Sequence, residues 1–122
     1  LSHPLDDLVD AIRANPQAPL TLTDLEERSG YSARHLQKLF QQKLGCTPMQ
    51  FIRRQRLATA MEQLQAAAAG ASVTSIARAC GYRHLANFSS DFQRQFGLAP
   101  SALLRAARHS ATKFSRTVMS EP

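Results

Sequence analysis

An internal repeat of a helical hairpin is the strongest constraint on how this chain can fold. The segments LTDLEERSGYSARHLQKLFQQKLGCTP (22–48) and VTSIARACGYRHLANFSSDFQRQFGLAP (73–100) align with an offset of 51 residues before the turn and 52 after it. One residue inserted in the second turn explains this change. Each copy reads as a short helix, a Gly-containing turn, a longer amphipathic helix and a terminating Gly, which is the helix-turn-helix pattern. Two unrelated hairpins would share the apolar spacing, but not Gly-Tyr, Gly and Pro in register.

A long helix is predicted between the two copies, over residues 47–69. Thr47 can accept a bond from a free N–H and Pro48 has no N–H to satisfy, so this pair is typical of a first helical turn. Apolar residues then recur at steps of three and four up to Gly70, which favours the end of a helix. At ~1.5 Å per residue the helix is roughly 33 Å long. This length is close to one turn of B-DNA, about 34–36 Å.

The sequence therefore predicts an all-α protein with two helix-turn-helix subdomains, about seven helices in all, joined by a long central helix. A first helix over Pro4–Ala14 is expected to pack on the first subdomain, and a last helix over Ser101–Arg108 follows Pro100. The predicted boundaries are 1–46 for the first subdomain, 47–70 for the linker helix, 71–108 for the second subdomain and 109–122 for a flexible tail.

The distribution of charge indicates the kind of partner. Residues 1–30 carry six acidic and two basic side chains, whereas residues 31–108 carry eleven Lys or Arg and only two acidic side chains. The basic block coincides with the long hairpin helices and the central helix, as expected of a surface that binds a polyanion. A basic surface alone is weak support, because many soluble domains are solvated by Arg. Together with two helix-turn-helix units, it indicates DNA binding.

Several classes of protein do not fit the sequence. No apolar run approaches the ~20 residues of a membrane span, and the N-terminus has no signal-peptide pattern. Cys46 and Cys80 lie outside any CxxC or Cys/His cluster, so we interpret them as buried thiols in a reducing cytoplasm. No nucleophile–base set, paired carboxylates or phosphate loop is present, so we expect no enzyme, no catalytic residues, no metal and no cofactor.

The first long hairpin helix, residues 32–44, is predicted to read bases in the major groove. Ser32 is its expected cap, and an apolar stripe that includes Leu36 and Phe40 forms its inner face. Its other face carries the candidate base-reading residues Arg34, Gln37, Lys38 and Gln41. Arg and Lys can donate to guanine O6 and N7, and Gln can pair with adenine N6 and N7. The alternative is a merely solvated helix face. His35, at the edge of the inner stripe, is interpreted as a partly buried structural residue.

The second long helix, residues 84–96, has a different outward chemistry. Phe88, Phe92 and Phe96 are spaced for a hydrophobic core and not for stacking on bases. The candidate base-reading residues are Leu85, Ala86, Asn87, Ser90 and Asp91. Leu and Ala can contact thymine methyls, Asn can pair with adenine, and Asp can accept from cytosine N4. The carboxylate of Asp91 would also repel phosphate, so we expect this helix to read DNA weakly or mainly by shape.

Phosphate contacts are predicted from basic residues around these helices. In the central helix one or two of Arg53, Arg54 and Arg56 are expected to bind phosphate, while another could pair with a carboxylate such as Glu62. The remaining candidates are Ser32, Arg83, Arg94 and Arg105. Contacts of this kind set register and salt dependence without reading sequence.

The repeat resembles the DNA-binding domain of the AraC/XylS family of bacterial transcription regulators. The likeness covers about residues 5–108, and its signature is Gly81-Tyr82, then FSSDF (88–92), then FGLAP (96–100). The resemblance implies seven helices, with the helices at 32–44 and 84–96 entering successive major-groove segments on one face of an asymmetric site. It also implies base reading by the residues already given, except that Gln41 has only its place on the helix face to support it. Many members have Arg where this chain has Ser90, and polar caps where it has Arg83 and His84.

The resemblance also implies partners. Double-stranded DNA is the main one, and family members contact RNA polymerase. Most members carry a separate effector-binding or dimerisation domain, which we expect to be absent from this chain, and the start without Met indicates an excised C-terminal piece. A second hypothesis is a basic helical module that binds an acidic protein partner such as the transcription machinery, for which duplex DNA would compete. No membrane partner is expected.

Overall fold

The structure, a computed structural model, describes residues 4–66 and 70–120, and the side chains of these up to residue 110. The described residues form seven α-helices and no strand. None of these helices is both long enough and apolar enough to span a bilayer. The helices are α1 (Pro4–Ala14), α2 (Leu22–Ser29), α3 (Ala33–Leu44), α4 (Pro48–Ala66), α5 (Val73–Ala79), α6 (Leu85–Phe96) and α7 (Pro100–Ser120).

Side-chain caps define the start of several helices, as the sequence predicts. At α2 the hydroxyl of Thr21 accepts from the N–H of Asp24 (3.2 Å), and the Asp24 carboxylate accepts from the N–H of Thr21 (2.8 Å). These bonds to Thr21 lower the pKa of Asp24 below its ordinary value. The cap is therefore formed above the ordinary pKa of an Asp carboxyl and is lost as the pH falls through the lowered pKa. Thr47 with Gln50, and Ser72 with Ser75, form equivalent pairs at α4 and α5.

The first unit, Leu1–Arg56, has its own hydrophobic core. Leu25 of α2 and Leu36 and Phe40 of α3 are fully buried, and Phe51 lies edge-on to Phe40 with ring centroids 5.8 Å apart. The helix α1 contributes the buried residues Leu5, Leu8, Val9 and Ile12, so it packs on the first hairpin as expected.

The second unit, Leu57–Pro122, repeats this arrangement around aromatic residues of α6. Phe88 and Phe92 are fully buried with ring centroids 5.6 Å apart, and Phe96 continues the row at 4.7 Å from Phe92. Ile76 and the free cysteine Cys80 pack in the same cluster. Burial raises the pKa of the Cys80 thiol.

The central helix α4 contributes to both hydrophobic cores. Phe51 and Ile52 belong to the first hydrophobic cluster, whereas Leu57, Ala60 and Leu64 belong to the second. Its 19 described residues correspond to roughly 28 Å at ~1.5 Å each. The predicted continuation over 67–69 lies outside the described residues.

The last helix runs further than the sequence analysis predicts. The expected end was Arg108, followed by a flexible tail at 109–122, but α7 continues through Ser120. The physical reason is that no Gly or Pro occurs between Pro100 and Pro122, so nothing in this stretch stops a helix.

Arg56 has a structural role that the sequence analysis does not predict, while its phosphate contact stays a prediction. Its guanidinium donates from Nε to the carbonyl of Pro16 (2.7 Å) and from Nη2 to the carbonyl of Ala18 (2.9 Å). Both carbonyls lie in the connection between α1 and α2, where the Ala18 carbonyl also accepts from the N–H of Leu20 (2.8 Å). Arg56 therefore fixes this connection on α4 through two backbone carbonyls.

We predict that Arg56→Met lowers the free energy of unfolding by about 2 kcal/mol, because two partly buried, charge-assisted hydrogen bonds are lost while the apolar stem is kept. Urea unfolding followed by circular dichroism measures this change. Arg54→Met is the matched control, since Arg54 is exposed on the same helix. Equal stability of the two variants would contradict the role assigned to Arg56.

Candidate nucleic-acid interface

The outward face of α3 is built by the burial of its opposite face. Leu36 and Phe40 are inserted in the first core, which turns the predicted base-reading residues Arg34, Gln37, Lys38 and Gln41 to solvent, and all four are exposed. Ser32 is the N-cap, and its hydroxyl accepts from the N–H of His35 at 3.2 Å. The start and the rotation of α3 are therefore both fixed by local contacts.

An open cavity with a volume of about 450 Å³ lies along this face, and its lining includes residues that sequence reasoning missed. Its lining consists of Ser32, Arg34, His35, Lys38, Leu39 and Gln42. His35 is exposed, not partly buried as predicted, and its ring lies against Tyr31 with centroids 4.6 Å apart. Gln42 lies one helical turn after Lys38, so the 3.6-residue period could have identified it.

The exposed face at the start of α6 is apolar and weakly polar. Leu85, Ala86, Asn87 and Ser90 are exposed, in agreement with their predicted outward placement. Leu85 has 43% of its surface exposed. Among the described residues, it and Met49 are the large hydrophobic side chains most open to solvent. An exposed Leu in the first turn of a hairpin's long helix is available for contact with a methyl group.

Asp91 does not share this outward face. Its side chain is 19% exposed, and Oδ2 accepts a hydrogen bond of 3.0 Å from the hydroxyl of Tyr82. Its Oδ1 lies 3.8 Å from Nη1 of Arg94, whose side chain is 78% exposed. The helical period places Asp91 at the border of the buried stripe, where a neighbouring Tyr hydroxyl is within reach. The carboxylate is thus held within the protein and is not turned outward as the sequence analysis assumed.

The starts of the two long helices differ in one capping bond. Ser32 follows Tyr31 directly, whereas Arg83 stands between Tyr82 and the N-cap His84, which locates the inserted residue of the second copy. His84 makes no side-chain capping hydrogen bond. This agrees with the departure noted at that position. Gly81, with φ +97°, and its counterpart Gly30, with φ +77°, supply a positive φ in both turns.

The basic residues predicted to bind phosphate fall into two groups. Arg53 and Arg54 on α4 are exposed, as are Arg83, Arg94 and Arg105 in the second unit. Arg56 is partly buried and donates to two backbone carbonyls, and its phosphate contact stays a prediction.

Comparison with known proteins identifies the family to which the chain belongs. A family model described as a helix-turn-helix domain matches residues 25–106, from within α2 to α7. A crystal structure of a probable AraC family transcriptional regulator from Rhodopseudomonas palustris is 35% identical with a TM-score of 0.80, over 87% of this chain and 98% of that one. The chain belongs to the AraC/XylS family. It therefore has the sequence-specific DNA-binding domain of a transcription regulator.

Two further AraC-type relatives bear on its function. The DNA-binding domain of AdpA, solved in complex with a target DNA, is 28% identical with a TM-score of 0.81, and the match covers 89% of this chain and 96% of that one. A probable thc operon regulatory protein of Rhodococcus erythropolis is 38% identical over 98 residues, which are 80% of this chain and 30% of that protein. The chain spans about a third of the length of the curated relatives it matches.

His84→Ser is expected to stabilise the protein by about 1 kcal/mol, because the extended backbone of residue 84 suits a Ser cap and the present side chain caps nothing. Thermal unfolding measures the gain. Arg83→Ser is the control, since it introduces the same residue one position before the cap. A similar gain in both variants would show that capping is not the cause.

Proposed function

We propose that this AraC-type domain reads a double-stranded DNA site with two helices of different chemistry, α3 by hydrogen bonds from charged and amide groups and α6 by contact with methyl groups. The observation that carries this proposal is the exposure of Arg34 and Lys38 on the face of α3 opposite the fully buried Leu36 and Phe40. A helix with this division presents one face to the core and the other to a major groove.

On α3, the proposed base contacts involve the central outward positions. Arg34 and Lys38, four residues apart, lie one above the other on the helix and suit guanine O6 and N7. Gln37 and Gln41 flank them and suit adenine. The hydroxyl of Ser32 accepts its capping bond through a lone pair, so its hydrogen remains available to donate to a phosphate oxygen.

On α6, Leu85 and Ala86 are proposed to contact thymine methyl groups and Asn87 to pair with adenine. The Ser90 hydroxyl can donate one hydrogen bond, to a base or to a phosphate. Phosphate contacts from Arg53, Arg54, Arg83, Arg94 and Arg105 complete the proposal, and each neutralised phosphate makes affinity more dependent on salt. Contact with RNA polymerase, action in the cytoplasm and the location of an effector domain stay predictions for the whole regulator.

Lys38→Ala and Arg34→Ala are each expected to weaken specific binding by about 1–3 kcal/mol and to relax base preference at one position. The reason is the loss of hydrogen bonds to a guanine edge that no neighbouring side chain replaces. Selection from a random library of duplexes of about 30 base pairs, three turns of B-DNA, followed by sequencing of the retained DNA, measures the preference of each variant. The bases whose preference changes define the α3 block of the site.

Lys43→Ala is the matched control for charge. Lys43 is exposed but lies about 140° around the helix axis from Lys38, at ~100° per residue. We expect this variant to lose affinity slightly and equally for all sequences. Unchanged base preference in both Lys38→Ala and Arg34→Ala would refute base reading by α3.

The α6 contact is tested by replacing thymine with uracil, which removes only the methyl group. In the block outside the α3 block, here called the α6 block, we expect this change to cost the unaltered chain about 1 kcal/mol, the value of one buried methyl. Leu85→Ala should bind the thymine and uracil duplexes equally. Uracil in the α3 block is the control, and a methyl effect that persists in Leu85→Ala would exclude Leu85 as its reader.

A further inference from the structure

The two hairpin copies can be compared position by position, and they differ at the start of the long helix and at one position within it. At the start of the long helix, the first copy has the Ser32 cap and the second copy has His84 without a side-chain bond. Seven residues later in α6 stands Asp91, whose counterpart at an offset of 52 is Leu39 in α3. The copy that lacks the cap is thus the one that carries an additional acceptor.

The carboxylate of Asp91 accepts a hydrogen bond from Tyr82, which lies in the turn before α6. The Tyr82 hydroxyl donates to Oδ2 of Asp91 at 3.0 Å, while its ring lies edge-on to Phe88 with centroids 5.2 Å apart. Tyr82 is therefore fixed at both ends, by its ring on the core and by its hydroxyl on the second turn of α6. The side chain of Leu39 offers no acceptor to the turn of the first copy.

We propose that Asp91 is a positioning residue for DNA reading. By accepting a hydrogen bond from the Tyr82 hydroxyl, it fixes the turn and the first residues of α6, where Leu85, Ala86 and Asn87 lie. The Arg94 guanidinium, 3.8 Å from the other carboxylate oxygen, offsets the negative charge that would otherwise face phosphate. This inference rests on the proposed function, because it assumes that the start of α6 contacts DNA.

Three roles for Asp91 give different results with the same variants. A positioning residue predicts that Tyr82→Phe and Asp91→Ala each weaken binding roughly tenfold, that the double variant is no worse than either single one, and that Asp91→Asn, which keeps an acceptor oxygen, retains affinity. A residue that accepts from cytosine predicts a changed base preference in Asp91→Asn and none in Tyr82→Phe. A carboxylate that only repels phosphate predicts tighter binding in Asp91→Ala and Asp91→Asn.

The measurement is the affinity of each variant for the selected duplex and for two duplexes in which the α3 block or the α6 block is scrambled. We expect Tyr82→Phe to lose most of its discrimination against the scrambled α6 block while it keeps discrimination against the scrambled α3 block. Loss of both would indicate general unfolding and would overturn the inference. Adding His84→Ser to Tyr82→Phe supplies the missing cap and is expected to restore discrimination for the α6 block.

The outcomes separate this inference from the proposal beneath it. If scrambling the α6 block left the affinity of the unaltered chain unchanged, α6 would not read DNA, and both would be wrong. If the unaltered chain needed the α6 block and Tyr82→Phe bound it equally well, only the positioning role would be wrong. A shifted base preference in Asp91→Asn would likewise overturn it in favour of direct reading.

Discussion

Burial of one apolar stripe on each long hairpin helix is the constraint on which the rest of this protein depends. A fully buried Phe contributes about 1.5–3 kcal/mol, so Phe40 in α3 and Phe88 and Phe92 in α6 resist rotation about the helix axis. Once a helix is fixed in this way, the direction of every other side chain follows from the 3.6-residue period. The exposure of Arg34 and Lys38 is thus a consequence of what lies on the opposite side. Recognition residues can be held in place without any contact of their own.

The same constraint explains what could be predicted from the sequence. The repeat, the caps at Thr21, Ser32 and Ser72 and the buried stripes are local patterns, so the elements followed from them directly. The roles of Arg56 and Asp91 did not follow from local patterns. Arg56 bonds to a carbonyl that is distant in the sequence, and Asp91 lies at the border of a buried stripe. A charged side chain that satisfies two backbone carbonyls looks, in a sequence, like one that awaits a phosphate. The end of α7 does not follow from apolar periodicity, which is weak after Arg108, whereas the absence of Gly and Pro agrees with the longer helix.

The two copies also show how one motif can be stabilised in two ways. In α3 the stabilising group is a hydroxyl at the helix start, next to the residues proposed to touch DNA. In α6 the corresponding support comes from a carboxylate further along the helix, and the N-cap position bears a side chain that makes no capping bond. The stabilising group therefore lies beside the proposed DNA contacts in α3 and further along the helix from them in α6.

The half-buried bond between Tyr82 and Asp91 has a consequence for redesign. The outward positions of α3 can be exchanged as a set, because among the described residues none of them supports the fold through a bond to another element. The outward positions of α6 cannot be transplanted as freely, since Asp91, beside them at the border of the buried stripe, accepts a hydrogen bond from the preceding turn. New operator specificity is therefore easier to engineer in the first hairpin than in the second, although the two descend from the same pattern.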